Sequence, residues 1–356
     1  MRYMRPRPLV NRPSVSIVIP CYDYGKYLPA CLDSVLSQRD VEMQVVIVDD
    51  ASTDDSRMVA QALAKRDRRV ELIAHGRNMG HIATYNEGLA AVEGEYLVLL
   101  SADDLLTPGA LARAAAVLEA HPNVGFVYGH PIAFSGFDPP EPRSSNVRSW
   151  TVWSGHEWLA SCCRRARNVI HCPEVVMRTT VQREIGAYRA DLPHSGDFEM
   201  WLRAARTADV ARVNGVDQAY YRLHPRSMQR TTYSRYLVDL DARLSAIDAA
   251  LSTNVGLSPP HPRELREAAA RAVARGALRY ALRAYDEGTP DETMVNEYIE
   301  YALMVSPSAD SLRVWRGLRR AQRRSAHVPH VPQSVWRGVH VIADKTRWRW
   351  WRLSGL

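Results

Sequence analysis

Glu95-Tyr96-Leu97-Val98-Leu99-Leu100-Ser101-Ala102-Asp103-Asp104 is an unbroken apolar run of strand length that ends in two adjacent carboxylates. Such a run reads as a strand buried on both faces of an α/β sheet, and open α/β sheets bind ligands outside the carboxyl ends of their strands. The two acids therefore put negative charge where a ligand sits, and they need a cation. Successive residues of an extended chain point opposite ways, so Asp103 and Asp104 serve one ligand by dividing it, one holding a metal and the other a neighbouring group. A second reading stays open at this point. Thr107-Pro108 follows at once, as an N-cap with proline at the first helical position, and acids favour that end of a helix dipole.

Outward from this stretch the first half of the chain has a rhythm. Apolar runs begin at Val15 (VSIVIP), Gln44 (QVVIVDD), Val70 (VELIA), Tyr96 (YLVLL) and Val124 (VGFVYG), with helical patterns between them. That spacing predicts repeated βα units on a mainly parallel α/β sheet, and right-handed crossovers bring the strands' carboxyl ends to one edge. Leu28, Cys31, Leu32, Val35 and Leu36 recur at helical spacing, and Ser52-Thr53-Asp54-Asp55 has the pattern of a capping box. Each strand is followed by polar residues: Pro20-Cys21-Tyr22-Asp23, Asp49-Asp50-Ala51-Ser52, Asn78-Met79-Gly80 and Asp103-Asp104. No GxGxxG follows the first strand and no GxxxxGK[ST] occurs, which excludes the dinucleotide fingerprint and the P-loop. A nucleotide here must be held by side chains and a metal.

The chain has 356 residues, enough for one large α/β domain and a smaller one, and its 46% hydrophobic content is that of a globular protein. The net charge of +7 suits an acidic partner, a phosphate-rich ligand or an anionic membrane, without choosing between them. Five cysteines form no CxxC pair and no even disulfide framework, so a reducing, cytoplasmic compartment is expected. Met1 to Pro8 lack an apolar core, and no run reaches the roughly 18 apolar residues of a membrane span. Neither a signal peptide nor a spanning helix is expected.

Val15 to Asp23, Val48 to Asp54, Asn78-Met79-Gly80 with Asn86, and Gly94-Glu95-Tyr96 running into Ser101 to Asp104 resemble, in order and spacing over about residues 13–135, the family 2 glycosyltransferases. The resemblance implies a GT-A fold, a nucleotide-sugar-binding α/β domain followed by an acceptor-binding part. It also implies roles: Asp50 reading the uracil, Pro20 and Tyr22 lining the base pocket, Asn78 near the nucleotide, Asp103 toward the ribose or metal, and Asp104 on the metal-diphosphate. Family members often have Asp where this chain has Ser101, so the acid cluster is thinner by one charge. The residues alone leave simpler roles open: Asp49, Asp54 and Asp55 as turn and helix-start residues, Asn78 beside Gly80 as tolerant backbone, and Tyr22 as packing.

Two later stretches extend the likeness. In His194-Ser195-Gly196-Asp197-Phe198-Glu199-Met200-Trp201-Leu202-Arg203, Ser195 suits an N-cap, Asp197 falls in the first helical turn, and Glu199 and Arg203 stand at i, i+4 on the helix surface. The resemblance makes Asp197 the general base for the acceptor hydroxyl, with Gly196 replacing the family's usual Glu. A helix N-terminus lowers a carboxylate's pKa while burial raises it, and the pattern of residues does not decide the balance. Tyr220-Tyr221-Arg222-Leu223-His224-Pro225-Arg226-Ser227 is similar to the stretch that ends the family's catalytic domain, which implies that Arg222 approaches the diphosphate and His224 the diphosphate and metal. Between these parts, residues 134–145 form a Pro-rich loop of the kind that carries acceptor contacts or a lid.

These readings give a flexible segment over 1–12, a GT-A domain over 13–230 (nucleotide-sugar binding 13–130, acceptor binding 131–230) and a helical region over 231–356. Helices are expected from Leu237 to Leu251, Arg263 to Tyr285, Asp291 to Met304 and Ala309 to Arg324. In the tail, Trp336, Trp348, Trp350 and Trp351 interleave with Arg337, Lys345, Arg347, Arg349 and Arg352. That composition suits peripheral contact with the inner membrane face, and equally a tail docked on the protein. No recognition fold accompanies the charge, so nucleic acid is not expected as a partner. The function implied is an inverting transfer from a nucleotide-sugar donor, UDP-linked, to a glycan or lipid-linked acceptor, dependent on Mg²⁺ or Mn²⁺. The alternative is a nucleotide-sugar-binding or scaffold protein with a degenerate transferase domain. A nucleotidyltransferase is disfavoured, because Pro20-Cys21-Tyr22-Asp23 is not a Gly-rich phosphate loop.

Overall fold

All five apolar runs are strands in the computed structural model, which describes residues 1–225, 235–287, 290–325, 346 and 355. They are β2 (Ser14–Cys21), β3 (Glu42–Asp49), β4 (Val70–Ala74), β5 (Tyr96–Leu99) and β7 (Val124–Tyr128). The others are β1 (Arg2–Met4), β6 (Leu105–Leu106), β8 (Pro131–Phe134), β9 (Ser149–Trp153), β10 (Val176–Arg178), β11 (Asp209–Asn214) and β12 (Ala219–Arg222). A nine-stranded sheet runs β1-β9-β11-β7-β10-β5-β2-β3-β4, and β6-β12-β8 forms a second, three-stranded sheet.

The half of the large sheet from β5 to β4 is wholly parallel, as the βα rhythm requires. Across the other half β10 runs antiparallel to both β5 and β7, and β9 is antiparallel to β11. The segment over 1–12, expected to be flexible, supplies the edge strand β1 against β9. Farther along it, Glu119 accepts the backbone N–H groups of Val10 and Asn11. Main-chain pairing decided this, and main-chain pairing leaves no mark in side-chain composition.

The helices α1 (Leu28–Leu36), α2 (Ser56–Arg66), α3 (His81–Ala90), α4 (Ala110–Ala120), α5 (Gly155–Arg165), α6 (Thr179–Ile185) and α7 (Gly196–Ala204) connect these strands. Helix α3 lies close on the sheet at Gly88, where a Cβ would stand 2.3 Å from Val18 Cγ1. Two helix starts differ from expectation. The capping box does not form: Asp55 is the N-cap of α2 without a side-chain bond, and Asp23 Oδ1 instead accepts Thr53 N at 2.7 Å. Nor does Thr107 cap α4, which starts after left-handed Gly109. The Thr107 hydroxyl donates to the Asp217 carbonyl at 2.7 Å, a tertiary partner that outcompetes the local one.

The chain forms two compact units. One comprises Met1–Leu159, Ile170–Thr231 and Thr253–Ser258 and holds both sheets. In the other, Ala160–Val169, Thr232–Ser252 and Pro259–Leu356, the described residues are mainly helical. Its described helices are α8 (Tyr236–Ser252), α9 (Pro262–Asp286), α10 (Glu292–Val305) and α11 (Arg313–Ser325), within a few residues of the spans expected from periodicity. Helix α9 buries a small-residue face of Ala269, Ala270, Val273, Ala274, Ala277 and Ala281, which lets neighbouring helices approach closely. The rings of Tyr236, Tyr280 and Tyr298 stack in this unit at 4.6 to 6.5 Å. No described helix is long and apolar enough to cross a membrane, and the Trp/Arg tail lies outside the described residues.

Candidate active site

Because β5, β2 and β3 are adjacent and parallel, their carboxyl ends set three polar clusters side by side. Beyond β5, Asp104 N donates to Ser101 O at 3.0 Å and closes a turn that separates the two acids. Asp103 Oδ2 lies 2.9 Å from His224 Nε2. The Tyr24 ring stands edge-on to the same imidazole at 5.5 Å, with its hydroxyl 3.4 Å from Nε2. Asp104 turns the other way. Its Oδ1 accepts the backbone N–H of Arg222 at 2.8 Å and the residue is only 2% exposed. Burial, and then the neighbouring Asp103 charge, push its carboxyl well above the usual carboxylate range.

Asp104 was expected on the metal-diphosphate and Arg222 on the phosphates. In the structure Asp104 Oδ1 and the Arg222 guanidinium both make contacts within the protein. Arg222 is 2% exposed, its guanidinium lies 4.6 Å from the Tyr27 ring centroid and 4.4 Å from that of Phe134, and its Nε donates to Asp103 O at 2.7 Å. A further bond goes to Gly136 O in the Pro-rich loop. Strand alternation placed Arg222 and His224 on one face, but β12 ends at Arg222, so the alternation stops before it reaches His224.

The second centre is the start of α7. Tyr188 donates its hydroxyl to Asp197 Oδ1 at 3.0 Å, and the Tyr188 main chain is clamped by Asn86, which donates to its carbonyl at 2.9 Å and accepts its N–H at 2.8 Å. Burial raises the Asp197 pKa, against smaller opposing effects from Tyr188, His81 and Cys172. The balance left open between helix N-terminus and desolvation thus falls to desolvation, which favours the protonated form. Glu199 and Arg203 do pair, at 2.8 Å, but inside the protein rather than on the helix surface. Arg203 also donates to the Ala187 carbonyl at 2.9 Å, which ties α7 to the loop bearing Tyr188.

The third cluster is a closed network. Asp50 is buried; it accepts Met79 N at 2.6 Å and Gly80 N at 2.9 Å, and its Oδ1 is 2.7 Å from His75 Nδ1. His75 reaches Glu87 on its other side at 2.7 Å. Burial disfavours the imidazolium, yet the two carboxylates outweigh it and raise the His75 pKa. Asn78 is exposed and its Oδ1 accepts Gly80 N at 3.1 Å, while Gly80 supplies the positive φ of 84°. Pro20 lies at the end of β2, and Tyr22, 44% exposed, stands just beyond it.

One ring lies within the field of the first two centres. The Tyr221 hydroxyl is pushed up by burial and then by Asp104, Asp103 and Asp197, with Cys172 beside it. The Cys172 thiol, which donates to Leu99 O at 3.3 Å, is likewise raised by burial, Asp197 and Asp104. Tyr221 and Cys172 thus feel the charge of both acidic centres. Among the described residues no group of three or more His, Cys, Asp or Glu side chains is arranged to hold a metal. Asp103 offers a single carboxylate here, and a cation such as Mg²⁺ takes as few as one or two carboxylates when phosphate and water complete its shell.

Residues 16–177 match the model of glycosyl transferase family 2. The chain carries a family 2 glycosyltransferase domain. An uncharacterized glycosyltransferase of Haemophilus influenzae is 24% identical over 217 residues, 60% of this chain and 67% of that protein. The O-antigen biosynthesis protein RfbC of Myxococcus xanthus is 26% identical over 307 residues, which is 85% of this chain but 22% of that protein. The chain also spans only 31% and 32% of two further relatives, from Sinorhizobium fredii and Rickettsia felis. Among solved structures, S. aureus TarS in complex with UDP-GlcNAc superposes with a TM-score of 0.58 at 15% identity, over 87% of this chain and 91% of that one. The mannosyltransferase PcManGT of Pyrobaculum calidifontis, in complex with GDP-Man and Mn²⁺, gives 0.56 at 17% identity, over 92% and 91%. The glycosyltransferase domain has the GT-A type α/β fold followed by a helical part.

Sequence reading missed several site residues of this glycosyltransferase domain. Tyr24, Tyr27, Tyr188 and Cys172 touch or flank the two centres, yet nothing in their local pattern separates them from packing residues. Asn86 gave the one usable signal, an amide on the inner side of a helix, where it needs a partner.

Proposed function

We propose that this glycosyltransferase moves a sugar, with inversion, from a nucleotide-sugar to a hydroxyl of a saccharide or lipid-linked acceptor, using Mg²⁺ or Mn²⁺. The observation that carries the reading is the pairing of two acidic centres, Asp103 against His224 beyond β5 and Asp197 held by Tyr188 at the start of α7. Asp103, with His224 beside it, forms the donor side: it would anchor the cation, which would supply charge neutralisation for the departing diphosphate. Asp104 and Arg222 brace that side from within. The base of the nucleotide, a uracil in our reading, lies against Pro20, Tyr22 and Asn78, with Asp50 fixing the 78–80 turn that forms its wall. Asp197 forms the acceptor side. Its carboxylate takes the proton of the acceptor hydroxyl as the oxygen attacks the anomeric carbon in line, from the face opposite the leaving group.

The nucleotides named with the two structural neighbours, UDP-GlcNAc for one and GDP-Man for the other, define the test. The protein is incubated with UDP- and GDP-sugars, with and without Mn²⁺, and free nucleoside diphosphate is measured. Metal-dependent release that rises with a saccharide acceptor is expected. Donor binding without release under every condition overturns the transferase reading in favour of a binding or scaffold protein.

The tryptophan- and arginine-rich tail holds the enzyme at an anionic membrane surface in the same reading, since Trp prefers headgroup depth and arginines meet anionic lipid. Co-sedimentation with anionic and neutral liposomes, for the full chain and for a chain ending at Gln333, checks it. Equal partitioning of the two proteins at low salt rejects it.

A further inference from the structure

We propose that Tyr188 is the positioning residue of the acceptor-side base, its hydroxyl fixing both the orientation and the proton affinity of Asp197. The inference rests on the reading of Asp197 as that base. Tyr188 is 5% exposed and sits in the loop between α6 and α7. A loop residue needs external support to hold a side chain to a fraction of an ångström, and here the support is explicit. Asn86, 102 residues away on α3, makes both backbone hydrogen bonds that a neighbouring strand would make, at 2.9 and 2.8 Å. Arg203 takes the adjoining Ala187 carbonyl. The Tyr188 ring is wedged edge-on against Tyr85 at 5.5 Å, and Tyr85 in turn against His81 at 5.5 Å.

Gly196 explains why the ring comes so close to the helix start. A Cβ there would stand 3.1 Å from Tyr188 Cδ1 and 3.6 Å from Ile82 Cδ1, so a side chain at 196 and the ring at 188 compete for one space. The ring's position leaves its hydroxyl 3.0 Å from Asp197 Oδ1. Burial and the Asp197 charge hold the Tyr188 hydroxyl well above its usual pKa, so it remains a donor wherever the enzyme works. Such a bond stabilises the carboxylate over the acid, and it restrains rotation of the group that must face the acceptor. The other titratable groups around Asp197 are His81 and Tyr85 on α3, Cys172 before β10, and Tyr221 on β12.

The test is the pH profile of sugar transfer by the full chain. Tyr188→Phe keeps the wedged ring and removes the hydroxyl. The acid limb of kcat/KM is expected to move up by about one pH unit, the equivalent of a tenfold preference lost by the carboxylate. The plateau kcat is expected to fall about tenfold with the donor KM unchanged. Asn86→Ala, which frees the loop but leaves the hydroxyl, is expected to lower the plateau with a smaller movement of the limb. Tyr85→Phe, a neighbouring hydroxyl not bonded to Asp197, is expected to leave the limb in place. An unmoved limb in Tyr188→Phe, alongside a collapsed Asp197→Asn variant, overturns the positioning role alone. An equal movement in Tyr85→Phe overturns it too, because general polarity then accounts for the shift. Wild-type transfer by Asp197→Asn overturns the base assignment and this proposal together.

Discussion

Asp197→Asn is expected to transfer sugar roughly 10²–10⁴ times more slowly than the wild type, the usual worth of a general base, with the donor KM nearly unchanged. The amide keeps the shape of the carboxylate, so the first turn of α7 and the Tyr188 contact survive: the hydroxyl that donates to Asp197 Oδ1 finds the Asn carbonyl oxygen in the same place. Only the capacity to accept a proton disappears. Burial raises the wild-type pKa, so the acid limb of the wild-type profile lies above that of a free aspartate, and activity is lost as pH falls through it. The variant has no such limb. Steady-state transfer across pH, with donor binding measured separately, checks both points. A parallel loss of donor binding and rate would falsify the base assignment and mark Asp197 as a structural residue of the helix start.

The pattern of residues carried the fold because a strand buried on both faces has little freedom in composition: VSIVIP, VVIVD and YLVLL can hardly be anything else. The same logic fails at the margins of the sheet. β9 is a short Ser-Trp-Thr-Val-Trp segment after a turn-rich loop, and β1 is three residues long, so each is defined by backbone pairing, β9 with β11 and β1 with β9. At the site, the acids were legible by type and by place along the chain, while their individual duties were not. Asp103 and Asp104 are adjacent, and only the approach of β12 from over a hundred residues away decides which one is spent on a main-chain N–H. Arg222 looked like a phosphate ligand for the same reason that it is a good brace: a guanidinium satisfies carbonyls and aromatic faces as readily as phosphate. The contacts that bury Arg222 come from residues distant in sequence.

That division of labour predicts unlike outcomes for the two neighbouring acids. Asp103→Ala is expected to lower metal-supported transfer by at least about 10²-fold and to raise the Mn²⁺ concentration needed for half-maximal rate, because a cation that takes only one or two protein carboxylates loses its principal anchor. The same change removes the carboxylate beside His224 Nε2 and keeps the Tyr24 hydroxyl 3.4 Å from that nitrogen. His224→Ala, which keeps the carboxylate, is expected to be the milder variant, with a higher metal requirement and a smaller loss of rate. Asp104→Asn behaves differently in kind. Its carbonyl oxygen still accepts the Arg222 N–H that Asp104 Oδ1 accepts at 2.8 Å, and an acid whose pKa burial has already raised gives up little by becoming a neutral amide. Asp104→Ala, by contrast, strands a buried N–H at the end of β12 and costs about 1–3 kcal/mol of stability. Mn²⁺ titrations of transfer, read beside thermal unfolding of each variant, separate ligand from brace. If Asp104→Asn raises the metal requirement and Asp103→Ala leaves it alone, the two roles are exchanged and Asp104 is the cation's anchor.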